Sequence, residues 1–241
     1  MHNPLEQFEI HRLIHLDLGG FDASFTNSSL FMLIVSVLAT MLLALPMRRA
    51  GLVPTRWQSV VEMLYEFVAS MLSDNAGKGS AKYFPFVFTL FMFVLGCNLI
   101  GLIPFTFTVT SHIIVTFALA GTVFIGVTII GIAKHGFKWF RLFVPSGVPI
   151  ALLVLLVPIE IISYLTRPMS LSVRLFANMM AGHTILKVFA GFAVMLGMFG
   201  VVPWLFIIAF TGLEFLVAVL QAYVFAILTC IYLNDALHVH H

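Results

Sequence analysis

Long apolar windows, broken by a few polar and basic segments, set out the organisation of this chain. Residues 23–47 carry no formal charge and hold one helix of spanning length, expected over 30–47, which ends at Pro46 before Arg48 and Arg49. A membrane helix needs ~20 apolar residues. Residues 83–133 form a charge-free run of 51 residues, too long for one span. It predicts two helices over 84–133, joined near 104–112, where Thr106, Thr108, Thr110 and Ser111 cluster just after Gly101. Two further apolar stretches follow, at about 147–190 and 201–232.

Residues 55–76 show a different pattern. Thr55-Arg-Trp-Gln58 fits a capping box behind Pro54. Polar residues then recur at Ser59, Glu62, Glu66, Ser70 and Ser73, one stripe on an otherwise apolar helix, and Gly77 is a plausible stop. Such a helix either lies in the interface or on a neighbouring subunit, or packs within this protein.

The stretch after residue 147 is overlong. A helix over 148–190 would run ~64 Å at 1.5 Å per residue, against a hydrocarbon core of ~30 Å. It must either break, at Pro158 or Pro168, or lie steeply tilted. It carries Glu160, Arg167 and Arg174 at intervals of seven, a spacing that returns a helix nearly to the same face. Ser170 and Asn178 flank Arg174 one turn away on that face, and His183 points to nearly the opposite side. On the last helix Glu214 and Gln221 are also seven apart, with Tyr232 and Asp235 near its end. Two helices with sparse polar stripes, joined through 191–203, suggest an antiparallel hairpin lining a water path or meeting a partner.

Composition changes the picture by fixing the class. The chain is 61% hydrophobic and 9% charged, with a mean hydropathy of +1.09, so it is an integral membrane protein. A formal charge of +2 gives no reason to expect nucleic acid. Cys97 and Cys230 lie in apolar runs and read as small core residues. Residues 1–29 lack a basic segment followed by an apolar core, so the first apolar helix is expected to stay as an anchor. Arg48, Arg49, Arg56, Lys78 and Lys82 lie between the first two spans, and Lys134, Lys138 and Arg141 between the third and fourth. The connection at 104–112 has no lysine or arginine. Basic connections stay inside, which gives an outside N-terminus and an inside C-terminus.

Arg174 is the most informative residue. Its guanidinium cannot be neutralised by deprotonation, and a charge at membrane depth costs ~3 kcal/mol or more. Either it snorkels to the interface, or the charge is paired, wetted or working. Taken alone, His183 reads as a core histidine or, since imidazole titrates near neutral pH, a proton-handling group. Glu214 alone reads as a helix–helix hydrogen bond, Glu160 as a snorkelling carboxylate and Arg167 as an interfacial anchor. His2, His11, His15, His112, His135 and the histidines at 238, 240 and 241 suggest no site. No nucleophile motif supports an intramembrane enzyme, no metal-ligand set or cofactor motif is visible, and no paired repeat supports a stand-alone transporter.

Particular strings carry a stronger signal. Arg167-Pro-Met-Ser-Leu-Ser-Val-Arg-Leu-Phe-Ala-Asn178, Met180-Ala-Gly-His183 and Leu220-Gln-Ala-Tyr-Val-Phe225 stand beside Asn98-Leu-Ile-Gly-Leu-Ile-Pro104 and the opening Asn3-Pro-Leu-Glu-Gln-Phe-Glu-Ile10. Together they make the chain resemble, over nearly its whole length, subunit a of the F-type ATP synthases. The resemblance implies an all-α membrane protein of five membrane helices plus one interfacial helix. Its last two helices, within 147–235, would be long, strongly tilted and laid along a ring of c subunits. It implies a single membrane domain over 1–241, of which 1–29 lie outside, in a bacterial inner or a mitochondrial inner membrane. It implies partners in the c-ring, b-type peripheral stalk subunits and, indirectly, the soluble F1 sector. By family position Arg174 separates two proton half-channels. His183 and Glu214 belong to the outer one, with acid and histidine exchanged relative to some members. Asn178, Gln221 and Ser170 surround the arginine, and Glu160 serves the inner half-channel.

Overall fold

Thr26 starts the first membrane helix. It adopts an extended conformation and its hydroxyl accepts a hydrogen bond from the amide of Ser29, which satisfies one free donor of the first turn. The computed structural model describes residues 12–14, 17–18, 21–22, 24–48, 54–77, 79–103, 106–144 and 149–237. The opening motif at 3–10, His2, His11, His15, Arg49, Lys78, Pro104 and the histidines at 238, 240 and 241 lie outside them.

Among the described residues six α-helices make up the fold: α1 (Asn27–Met47), α2 (Arg56–Ala76), α3 (Phe84–Gly101), α4 (Ile113–His135), α5 (Ile150–Met195) and α6 (Val201–Leu237). All but α2 are long and apolar enough to cross a membrane. Ahead of α1, Arg12–Ile14 pairs with Phe25–Thr26 and Asp17–Leu18 with Phe21–Asp22, both antiparallel. These short ladders were not foreseen from the helical pattern.

The amphipathic segment forms α2 with Thr55 as its cap and Gly77, at φ 74°, as its stop. Only half of the capping box forms, because the Gln58 side chain donates to Glu62 instead of reaching back. One apolar face is buried: Val68, Met71, Leu72 and Ala76 join the main core, and Val61 is buried nearer the helix start. Trp57, Val60 and Met63 are exposed. Both readings of this helix therefore hold in part: it packs within the chain and still offers an apolar surface outward.

α6 is the centre of the fold and packs on α2, α3, α4 and α5. Ala218, Ala222, Ala226 and Cys230 recur every four residues and are buried. That stripe of small side chains lets neighbouring helices approach closely where no hydrophobic force drives them together. Val87, Leu90, Phe91 and Val94 of α3 share a core cluster with Ala222, Ala226 and Cys230. α1 is peripheral and touches α3 where Val35 meets Gly96. A β-carbon at Gly96 would lie 2.8 Å from the Val35 side chain.

α5 settles the question of the overlong stretch. It is one helix of 46 residues with Pro158 and Pro168 inside it, ~69 Å long at helical rise. No break occurs at either proline, so a membrane can accommodate it only at a steep angle. The hairpin connection is shorter than the expected 191–203. α5 continues to Met195, a 3₁₀ turn spans Gly197–Gly200, and α6 starts at Val201. At the other end of the hairpin, Lys134 and His135 of α4 both donate to the Leu237 carbonyl. The Lys134 ammonium there complements the negative end of the α6 dipole.

Candidate functional site

The two faces of α5 divide the candidate residues. Ser170, Arg174 and Asn178 lie one turn apart and are all exposed along the outer face. Arg174 makes no ion pair or hydrogen bond within the described residues. Its neighbours Val173 and Met169 are exposed apolar side chains. This places a permanent charge on an open, apolar face of a helix long enough to span a membrane, with nothing among the described residues to neutralise it.

His183 lies nine residues on and faces inward, as the spacing predicts. Its Nε2 is 3.8 Å from Oε1 of Glu214 on α6 and 3.2 Å from Oγ1 of Thr108 in the α3–α4 connection. Glu214 is only 7% exposed, and neither carboxyl oxygen has a hydrogen bond within the described residues. Buried carboxyl oxygens are ordinarily satisfied, which makes this group stand out among the described residues.

Gly182 creates the room. A β-carbon there would sit 2.5 Å from Glu214 Oε1 and 3.0 Å from its Cδ. Because the obstructed atoms are the end of a flexible side chain, Gly182→Ala should fold and displace the carboxyl group. Proton flux in assembled membranes is expected to drop roughly tenfold, as misplaced reacting groups do. Unchanged flux would show that the carboxyl position does not matter.

Polar groups continue from this pair toward the α3–α4 connection. Asn98 is fully buried; its amide donates to the Ala218 carbonyl of α6 at 3.1 Å, while its Oδ1 has no partner among the described residues. Thr116 of α4 and Ser172 of α5 share a hydrogen bond at 3.1 Å, both fully buried. Thr110 Oγ1 and His112 Nε2 are buried with no partner among the described residues. The His112 ring stacks on Phe107 at 4.9 Å, and burial holds its pKa below the usual histidine range. Sequence reasoning noted the threonine cluster but assigned it no role. Gln221 is buried on α6, two turns after Glu214.

The expected stripe of Glu160, Arg167 and Arg174 does not act as one unit. Glu160 is partly buried two turns before Arg167. Arg167 turns toward α6, where its Nη1 donates to Asp235 Oδ2 at 2.9 Å. Its guanidinium lies over the rings of Tyr164, at 5.6 Å, and Tyr232, at 5.2 Å. Tyr164 in turn shares a 2.7 Å hydrogen bond with Thr128 of α4. Ion pairing has overridden helical periodicity here, which the spacing of α5 alone could not reveal. Among the described residues no group of three metal-ligating side chains is present.

A helical membrane protein with an unneutralised intramembrane cation on one helix face and a buried histidine–carboxylate pair behind it belongs to the class that moves ions across a bilayer. The family described as "ATP synthase A chain" matches residues 29–234. The chain is 59% identical over 241 residues to the ATP synthase subunit a of Pelagibacter ubique, covering 99% of each chain. It is 57% identical to that of Paramagnetospirillum magneticum over 247 residues, covering both completely. To that of Chelativorans sp. it is 60% identical over 246 residues, covering 99% of each. The chain belongs to the ATP synthase A chain family, the proton-translocating stator subunits of the synthase membrane sector.

Proposed function

We propose that this subunit forms two aqueous half-channels against a ring of c subunits, with Arg174 as the barrier between them. The unpaired guanidinium on the open face of α5 carries this reading. A proton enters through the outer half-channel, past Thr108, Asn98 and the His183–Glu214 pair, and neutralises a carboxylate on the ring. The neutral acid can turn into lipid because its charge is gone. When it returns to Arg174 from the other side, the fixed positive charge favours the carboxylate and drives the proton into the inner half-channel. Glu160 is the acid of that inner path. Ser170 and Asn178 orient water and the guanidinium on the ring-facing side, and Gln221 does so from α6. The driving field is worth about 2.3 kcal/mol per charge per 100 mV.

The subunit has no catalytic site of its own in this reading. ATP chemistry resides in the soluble F1 sector, which it reaches through the ring and the b-type peripheral stalk. The relatives support a bacterial inner membrane, and the basic connections support an outside N-terminus and an inside C-terminus. The expected finding is co-purification with a ring of small hairpin proteins and a water-soluble ATPase. A chain that conducts protons alone, with no ring bound, would overturn the proposal. Topology is tested separately by single cysteines labelled in sealed vesicles. A cysteine in the α3–α4 connection should react from outside, and one after Leu237 only from inside.

A further inference from the structure

We propose that Asp235, with Tyr164 and Tyr232, withdraws Arg167 from the ring-facing surface, so that of the two arginines on α5 only Arg174 meets a ring carboxylate. The inference rests on the reading of Arg174 as the ring-facing charge. Two arginines seven residues apart stand ~10.5 Å apart along a helix and differ by only about 20° in direction. Left alone, both would face the ring. They are nonetheless treated in opposite ways. Arg174 is exposed and has no partner among the described residues. Arg167 is bonded to Asp235 at 2.9 Å, covered by two tyrosine rings, and its side chain is only 30% exposed.

The cage is built from three helices. Thr128 on α4 holds the Tyr164 hydroxyl, and Phe124, Trp139 and Phe143 pack on the Tyr164 ring. Tyr232 and Asp235 come from the last turns of α6. The rings attract the guanidinium by their negative faces, and the carboxylate neutralises it through a charge-assisted bond. A second free cation two turns inward of Arg174 would hold the departing ring carboxylate and retard the next step of rotation. Asp235 is thus a positioning residue, acting through Arg167.

The test uses the assembled synthase in inverted vesicles, read as ATP-driven acidification. Asp235→Asn should lower pumping at least about fivefold and Arg167→Gln less than about twofold, the scale of one partly exposed charge interaction. The double variant should return to the level of Arg167→Gln alone, because the freed cation is gone. A pair that merely ties α5 to α6 gives the opposite pattern: both single variants equally impaired and the double no better. That pattern, or an unimpaired Asp235→Asn, overturns the proposal.

Assembly is separated from function by adding the charge afterwards. Arg167→Cys, alone and with Asp235→Asn, is assembled without the cation and then treated with aminoethyl methanethiosulfonate, with the methyl reagent as neutral control. The charged reagent should inhibit only where Asp235 is absent; an equal response in both backgrounds overturns the proposal. Arg174→Ala is run beside them. Near-normal pumping in that variant would remove the underlying reading, whereas its loss with no effect at Asp235 removes only this inference.

Discussion

Arg174→Ala is expected to abolish ATP-driven pumping and proton-driven ATP synthesis while the membrane sector still assembles. The side chain is exposed and bonds to nothing among the described residues, so its removal opens no cavity and leaves no buried group unpaired. Substitutions of that kind usually change stability by less than about 0.5 kcal/mol. In the proposed mechanism its functional worth is far larger. Two unit charges ~4 Å apart interact by about 4 kcal/mol at an effective dielectric of ~20. That is close to three pKa units on a facing carboxyl group, so proton release at the arginine should slow by about a thousandfold without it. Passive proton leak should persist or rise once the soluble sector is stripped, because nothing then separates the half-channels. Arg174→Lys should couple poorly as well, since an ammonium is a point charge that can lose its proton when desolvated. Acidification of inverted vesicles and passive permeability, measured side by side, decide the matter. Near-normal coupled pumping in Arg174→Ala would sink the mechanism.

Much of the fold was legible because lipid imposes a simple rule. Backbone groups with no water to bond must be satisfied within the segment, so charge-free windows of spanning length become helices. That rule led to α1, α3, α4 and the long last hairpin. Local chemistry marked the start and stop of α2 through Thr55 and Gly77. What periodicity could not show was the choice each side chain makes among neighbours on other helices. Arg167 and Arg174 are equivalent by spacing, yet Asp235 captures one of them. Thr108 reaches His183 across 75 positions of sequence, and Asn98 reaches Ala218 across 120. Those partnerships depend on the packing of α3 and α5 around α6. The short N-terminal ladders went unforeseen because residues 1–29 read only as an external segment.

The position of the candidate site follows from the same packing. A break at Pro158 or Pro168 is one of two ways to fit the overlong stretch, but α5 runs through both. Beyond them the same helix carries an exposed charge and, nine residues later, an inward histidine. The small-residue stripe of α6 matters for the same reason. It draws α6 close enough for Glu214 to occupy the space beside Gly182 and lie 3.8 Å from His183.

Exchanging the members of that pair should therefore preserve more function than removing either one. His183→Ala or Glu214→Gln is expected to cut proton flux at least ~100-fold, the lower range for loss of a positioned acid–base group, with the soluble ATPase still active. His183→Glu combined with Glu214→His keeps one acid and one imidazole across the same gap, so a proton can still pass between them. The imidazole at position 214 would use the opening that Gly182 leaves, and the carboxyl at position 183 would still reach the Thr108 hydroxyl. The swap should outperform the worse single change, His183→Glu or Glu214→His, by about tenfold, and the pH dependence of flux should shift in each variant. Adding Gly182→Ala to the swap should cancel the rescue, because the ring is bulkier than the carboxyl group it replaces. Proton flux through stripped membranes, measured across a pH series, reads all of these. Losses that simply add, with no recovery in the swap, would mean that His183 and Glu214 do not act as one relay.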